Sequence, residues 1–99
     1  MVVRILDHVA QCATYADGDA IFQIIAPAIV KGEDVTLSFE GVDAVPSSFV
    51  NASIVRLIES VALSELKRHL KVVHSTRQIN DLIRSRIDFL SQNASRAHN

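Results

Sequence analysis

Residues 35–61 set an alternating run a short loop before a stretch of helical spacing, the order of a strand feeding a helix. In Val35 to Glu40, the apolar Val35, Leu37 and Phe39 fall on one face and the polar residues on the other, the period of a half-buried strand. After the loop Gly41 to Ser48, the residues Val50, Ile54, Leu57, Ile58 and Val61 recur at the spacing of one helix face. Ser47 and Ser48 stand where that helix opens, and either hydroxyl suits a cap. A strand that feeds a helix through a short loop is half of a β-α-β unit.

The same order repeats on both sides. Val2 to Leu6 is dominated by β-branched residues and reads as a first strand. Residues 7–16 suit either an extension of that strand or a loop. Asp17 offers a helix cap, Ile21, Phe22, Ile25, Ala28 and Ile29 follow at helical spacing, and Gly32 is a stop. Pro27 inside this segment predicts a kink or a shorter helix. A polar patch, Glu65 to His69, leads into a short buried strand at Leu70 to Val73. Ser75 with Gln78 reads as a capping box before a third helix carrying Ile79, Leu82, Ile83, Ile87 and Leu90.

Strand, helix, strand, helix, strand, helix predicts an α/β fold, a small, mostly parallel sheet of three to four strands with three helices. Residues 1–90 form one domain, and 91–99 a frayed polar C-terminal tail. Leu37, Phe39, Ile54, Ile58, Val72, Ile83 and Ile87 are expected in the core. In such sheets, sites lie beyond the carboxyl ends of strands, and the loop Gly41 to Ser48 occupies that position.

Composition narrows the function. No apolar run approaches the roughly 20 residues that span a bilayer, and the opening residues do not read as a signal peptide. The one cysteine, Cys12, allows no internal disulfide, which suits a reducing cytoplasm. Charge is uneven: seven carboxylates face two cations in residues 1–50, a net −5, and eight cations face four carboxylates in residues 51–99, a net +4. That asymmetry suits steering of a partner or self-association, and equally two solvated faces. The basic stretch Lys67 to Lys71 has no interleaved aromatic residues, which argues against nucleic-acid binding.

Catalytic patterns are not found. No Gly-x-Ser-x-Gly elbow accompanies the serines, and Gly18, Gly32 and Gly41 build no phosphate loop. His69 and His74, five apart across a predicted strand, do not suit a metal pair; His69 reads as a surface residue and His74 as a strand end. The two Asn-Ala-Ser acceptor patterns, at Asn51 and Asn93, read as chance matches in a cytoplasmic chain. No enzyme activity, cofactor or metal is therefore expected, and no catalytic residue is assigned.

What remains is the segment from Val35 to Phe49. Ser38-Phe39-Glu40-Gly41-Val42, a spacer containing Val45, and Ser47-Ser48-Phe49 resemble the STAS-like domain family of unknown function. Members of that family read Asp-Phe-Glu-Gly-Val, then Ser-Ser-Phe. That family is related to STAS domains (sulphate transporter and anti-sigma factor antagonist), in which a strand ends in Leu-Ser-x-Val and an Asp-Ser-Ser-Gly turn opens a helix. The resemblance extends over roughly residues 16–90, through Leu66-Lys67-Arg68 and the last strand and helix. Relative to the STAS signature, Pro46 replaces the acidic residue before the serine pair, and Phe49 replaces the glycine after it.

The resemblance implies a bacterial signalling module like an anti-sigma factor antagonist, which binds a histidine-kinase-type ATPase and is switched by phosphorylation of the second serine. Transferred to this chain, that serine is Ser48, with Ser47 beside it. The partner-binding surface so implied comprises Val45, Pro46, Ser47, Ser48, Phe49 and Asn51. A phosphoserine at a helix start adds about −1.5 to −2 charges while the fold persists, and it repels an acidic partner. Two other readings stay open. One is a small-ligand-binding domain with a pocket lined by Val42, Val45 and Phe49. The other is a structural homo-oligomer that protects its sheet edges.

Overall fold

The structure is a computed structural model that describes the backbone of residues 1–97 and the side chains of residues 1–90. The polar tail expected over 91–99 lies outside the described side chains. Three strands, β1 (Val2–Arg4), β2 (Val35–Ser38) and β3 (Leu70–Val73), form one sheet in the order β1-β2-β3. Both pairings are parallel, with Val3 opposite Leu37 and Leu37 opposite Val72. Among the described residues four α-helices accompany them: α1 (Tyr15–Val30), α2 (Ser47–Ser53), α3 (Leu63–His69) and α4 (Arg77–Ala97). The expected α/β fold with a parallel sheet is the fold observed, with one more helix than the spacing predicted.

Side chains alternate across a strand, so the register places Val3, Leu37 and Val72 on one face. Val3 and Leu37 are buried there, together with Val35 from the same face of β2. The opposite face carries Val2, Thr36 and Lys71, which are exposed or half-exposed. The alternation in β2 thus reflects a sheet packed mainly on one side.

Each element ends for a local reason. The N-cap of α1 is Thr14, whose hydroxyl accepts from the Asp17 N–H while the Asp17 carboxylate accepts from the Thr14 N–H, a capping box. Asp17 is therefore the third helical residue and not the cap. These backbone N–H donors, Ala13 first, hold its carboxyl below the usual range. The helix runs through Pro27 without ending there. It closes at Gly32 (φ +83°), where Glu33 N–H donates to Ala28 O and Gly32 N–H to Ile29 O, the double closure that favours glycine.

Strand β1 is shorter than the expected 2–6, because Ile5–Asp7 turn into a 3-10 segment once Arg4 has paired with Ser38. Strand β2 stops at Ser38, whose hydroxyl accepts from the Glu40 N–H and starts the turn at Gly41 (φ +85°).

The long helix expected from Ser47 to Val61 is broken. The buried Ser53 hydroxyl donates to Phe49 O at 2.8 Å, a bond back to the preceding turn that competes with the helical ladder. Beyond it the chain tightens into a 3-10 segment, Val55–Glu59. The polar patch Glu65 to His69 is helical, forming most of α3. Glu65 lies in its first turn, and Lys67, Arg68 and His69 in its last, each sign at the favourable end of the helix dipole.

Leu37, Phe39 and Ile54 are fully buried as expected. Ile58, Val72, Ile83 and Ile87 are only half-buried and pack against the core from its margin. For Val72 the cause is position, since β3 is an edge strand.

Candidate functional site

The loop after β2 emerges at the carboxyl edge of the sheet. Its first part is set by three contacts: Phe39 N–H donates to Val73 O, Val42 N–H donates to Phe39 O, and Arg4 reaches the Glu40 carboxylate at 3.4 Å while holding Asp7 at 2.7 Å. Its second part is clamped by the start of α4. The Gln78 amide takes both backbone groups of Val45, accepting from its N–H and donating to its carbonyl, each at 3.1 Å. The Thr76 hydroxyl donates to Asp43 O at 2.9 Å.

This clamp corrects the reading of Ser75 and Gln78 as a capping box. Thr76 caps α4, accepting from the Ile79 N–H, and Ser75 donates to Asn80 instead. Gln78 is thereby free to hold the loop. A strand-mimicking amide in the first turn of a helix is the signal that sequence reasoning missed.

The six residues assigned to the partner surface separate into three groups. Pro46 and Ser47 are exposed and Ser48 is half-exposed, and together they form a ridge at the start of α2. Val45 (4 %) and Phe49 (0 %) are core residues whose side chains offer no contact surface. Phe49 packs edge-on against Phe39, ring centroids 6.4 Å apart at 71°. The ring that replaces the signature glycine is therefore turned inward, away from the serines. Asn51 is turned toward α4, where its carbonyl oxygen accepts from Arg86 Nε at 3.1 Å.

Neither serine caps the helix. The N-cap is Pro46, and α2 has no side-chain cap. The Ser47 and Ser48 hydroxyls make no hydrogen bond among the described residues, so no local role ties them up. Ser47→Ala and Ser48→Ala are each expected to change stability by less than about 0.5 kcal/mol, where capping serines would each cost about 1 kcal/mol. Thermal melts of the two variants against wild type check this.

The other side chains with chemical potential have structural partners or none nearby. His69 is half-buried at the surface: its side chain is 14 % exposed, and its two ring nitrogens lie 2.8 Å from Asp34 and 3.1 Å from Glu65. His74 directly follows β3 with φ +53°, a left-handed conformation in which histidine is one of the enriched non-glycine residues. Burial pushes the Cys12 thiol up to about 11, so it is a poor nucleophile. Among the described residues, no three His, Cys, Asp or Glu side chains gather in a way that would hold a metal ion.

A family model described as a STAS-like domain of unknown function matches residues 17–80, more than half of the chain. The chain belongs to this STAS-like family. The match runs from the first turn of α1 to the first turn of α4, so it contains β2, the loop, the Pro46–Ser48 ridge and the Gln78 clamp. Strand β1 lies outside it and completes the STAS-like sheet. No curated protein and no solved structure matches the chain. In the STAS-like domain, no described helix is long and apolar enough to cross a membrane.

Proposed function

We propose that the domain is a regulatory protein-binding module, comparable to an anti-sigma factor antagonist, that docks through the Pro46–Ser48 ridge and the loop before it. The observation that carries this reading is the clamp. The cap of α4, Thr76, and its first-turn Gln78 hold Asp43 and Val45 by their backbone, while the side chains at the tip, Pro46 and Ser47, stay exposed and uncommitted. A loop already held in one conformation loses little entropy on docking, so its contacts convert efficiently into affinity. The role is one of binding rather than catalysis, in the cytoplasm, and a histidine-kinase-type ATPase is the kind of partner that the family relationship favours.

Ser48 is the proposed switch. Its hydroxyl is free and half-exposed at the second position of α2, where a phosphate meets unpaired backbone N–H groups and the positive end of the helix. The fold tolerates the anion, but a partner must strip its water to cover it. The test begins with recovery of a partner from the native cell by crosslinked pull-down. The purified partner is then titrated against wild type, Ser48→Ala and Ser48→Asp. Ser48→Asp should bind at least about tenfold more weakly, as expected for a desolvated charge at an interface, with an undiminished melting temperature. Equal affinity of a well-folded Ser48→Asp protein would remove the switch.

A further inference from the structure

A second site lies away from the ridge. A cleft of about 420 Å³ opens between the start of α1, the segment after α2 and the middle of α4. This volume is within the range of small-molecule pockets, roughly 300–1,000 Å³. Val55, Ile58 and Leu90 supply apolar wall, and Arg86 supplies a cation.

Arg86 is held in place on one side. Its Nε donates to Asn51 at 3.1 Å, and its guanidinium lies 5.6 Å from the centre of the Phe89 ring. These contacts fix the plane of the group and leave its two terminal nitrogens without a hydrogen-bond partner among the described residues. Those two nitrogens form the end-on fork that matches a carboxylate. The other arginine of the cleft, Arg56, is already neutralised by Asp19 at 2.6 Å and lies over the Phe22 ring at 4.0 Å. Glu59 also lines the cleft and disfavours a second negative charge.

We propose that this cleft binds an amphipathic monocarboxylate, with its carboxylate on the Arg86 fork and its apolar body against Val55, Ile58 and Leu90. One available cation, one anionic neighbour and an apolar wall select a single charge on an apolar chain or ring. The site does not depend on the protein-docking reading.

The test titrates the whole chain with decanoate below its micelle concentration, with decylamine and acetate as controls, by calorimetry and by amide chemical shifts. Decanoate should bind saturably at one-to-one stoichiometry and move the resonances of Asn51 and Leu90. Decylamine, with the same chain and opposite charge, should not saturate, and acetate should bind far more weakly. Arg86→Gln should lose at least about tenfold in decanoate affinity, the range for losing hydrogen bonds to a charged group. Equal binding of decylamine, unchanged affinity in Arg86→Gln, or shifts confined to another face would each overturn the proposal. If Arg86→Gln does not fold, the wild-type shift map and the decylamine comparison still decide it.

Discussion

Phe49→Ala is expected to lower the unfolding free energy by about 3–5 kcal/mol, the range for deleting a buried aromatic ring. The ring is fully buried and meets Phe39 edge-on, so its loss removes both apolar burial and an aromatic pair. It sits in the first turn of α2, directly after the serine pair. The cavity would open beneath the ridge, and α2 would lose its aromatic anchor on Phe39. Urea denaturation of wild type and variant gives the difference directly. A loss below about 1 kcal/mol would place the ring outside the core and would restore it as a surface contact.

The second large effect is at Gly18. In most exposed helix interiors, Gly→Ala is stabilising by up to about 1 kcal/mol. Here the sign reverses. A Cβ on Gly18 would stand 2.5 Å from Phe49 O and 2.8 Å from Ala52 Cβ, both parts of α2. Backbone cannot swing aside as a long side chain does, so the two helices must separate. The expected cost of Gly18→Ala is about 2–3 kcal/mol, the upper part of the overpacking range. The same denaturation assay reads it. A neutral or stabilising result would show that α1 and α2 do not meet at this closeness. Because α2 carries the ridge, the displacement should also weaken partner binding more than Ser47→Ala does.

Much of this fold was legible because apolar period and turn residues agree. Strand β2 shows a clean alternation, and Gly32 sits one residue past the cap of α1. The errors arise where a side chain bonds to backbone in a way that spacing does not reveal. Ser53 donating to Phe49 O ends α2 early, although the apolar stripe continues to Val61. Thr14, three residues before Asp17, shares the capping that Asp17 alone seemed to provide. Helix α3 has little apolar periodicity, and only its charge order, Glu65 before Lys67 and Arg68, marks it.

The candidate site was legible in place but not in detail. The motif put the serine pair at the start of a helix after β2, where it is. It could not tell which neighbours face outward, because Phe49 is buried against Phe39 and where α2 packs on α1, a packing that the motif's own spacing does not reveal. Nor could it find the Gln78 clamp, which joins residues 33 apart. That clamp is what turns an ordinary loop into a fixed surface.

If partners dock on the ridge, site-specific photo-crosslinking in the native cell will capture them there. A photoreactive residue is placed at Ser47, which is exposed on the ridge, and separately at Lys67, which is exposed in α3 before β3 begins, at the amino edge of the sheet. Docking on the ridge predicts a discrete protein adduct from position 47, reduced when Ser48→Asp is added, and no such adduct from position 67. The same adduct from both positions, or from position 67 alone, would contradict it.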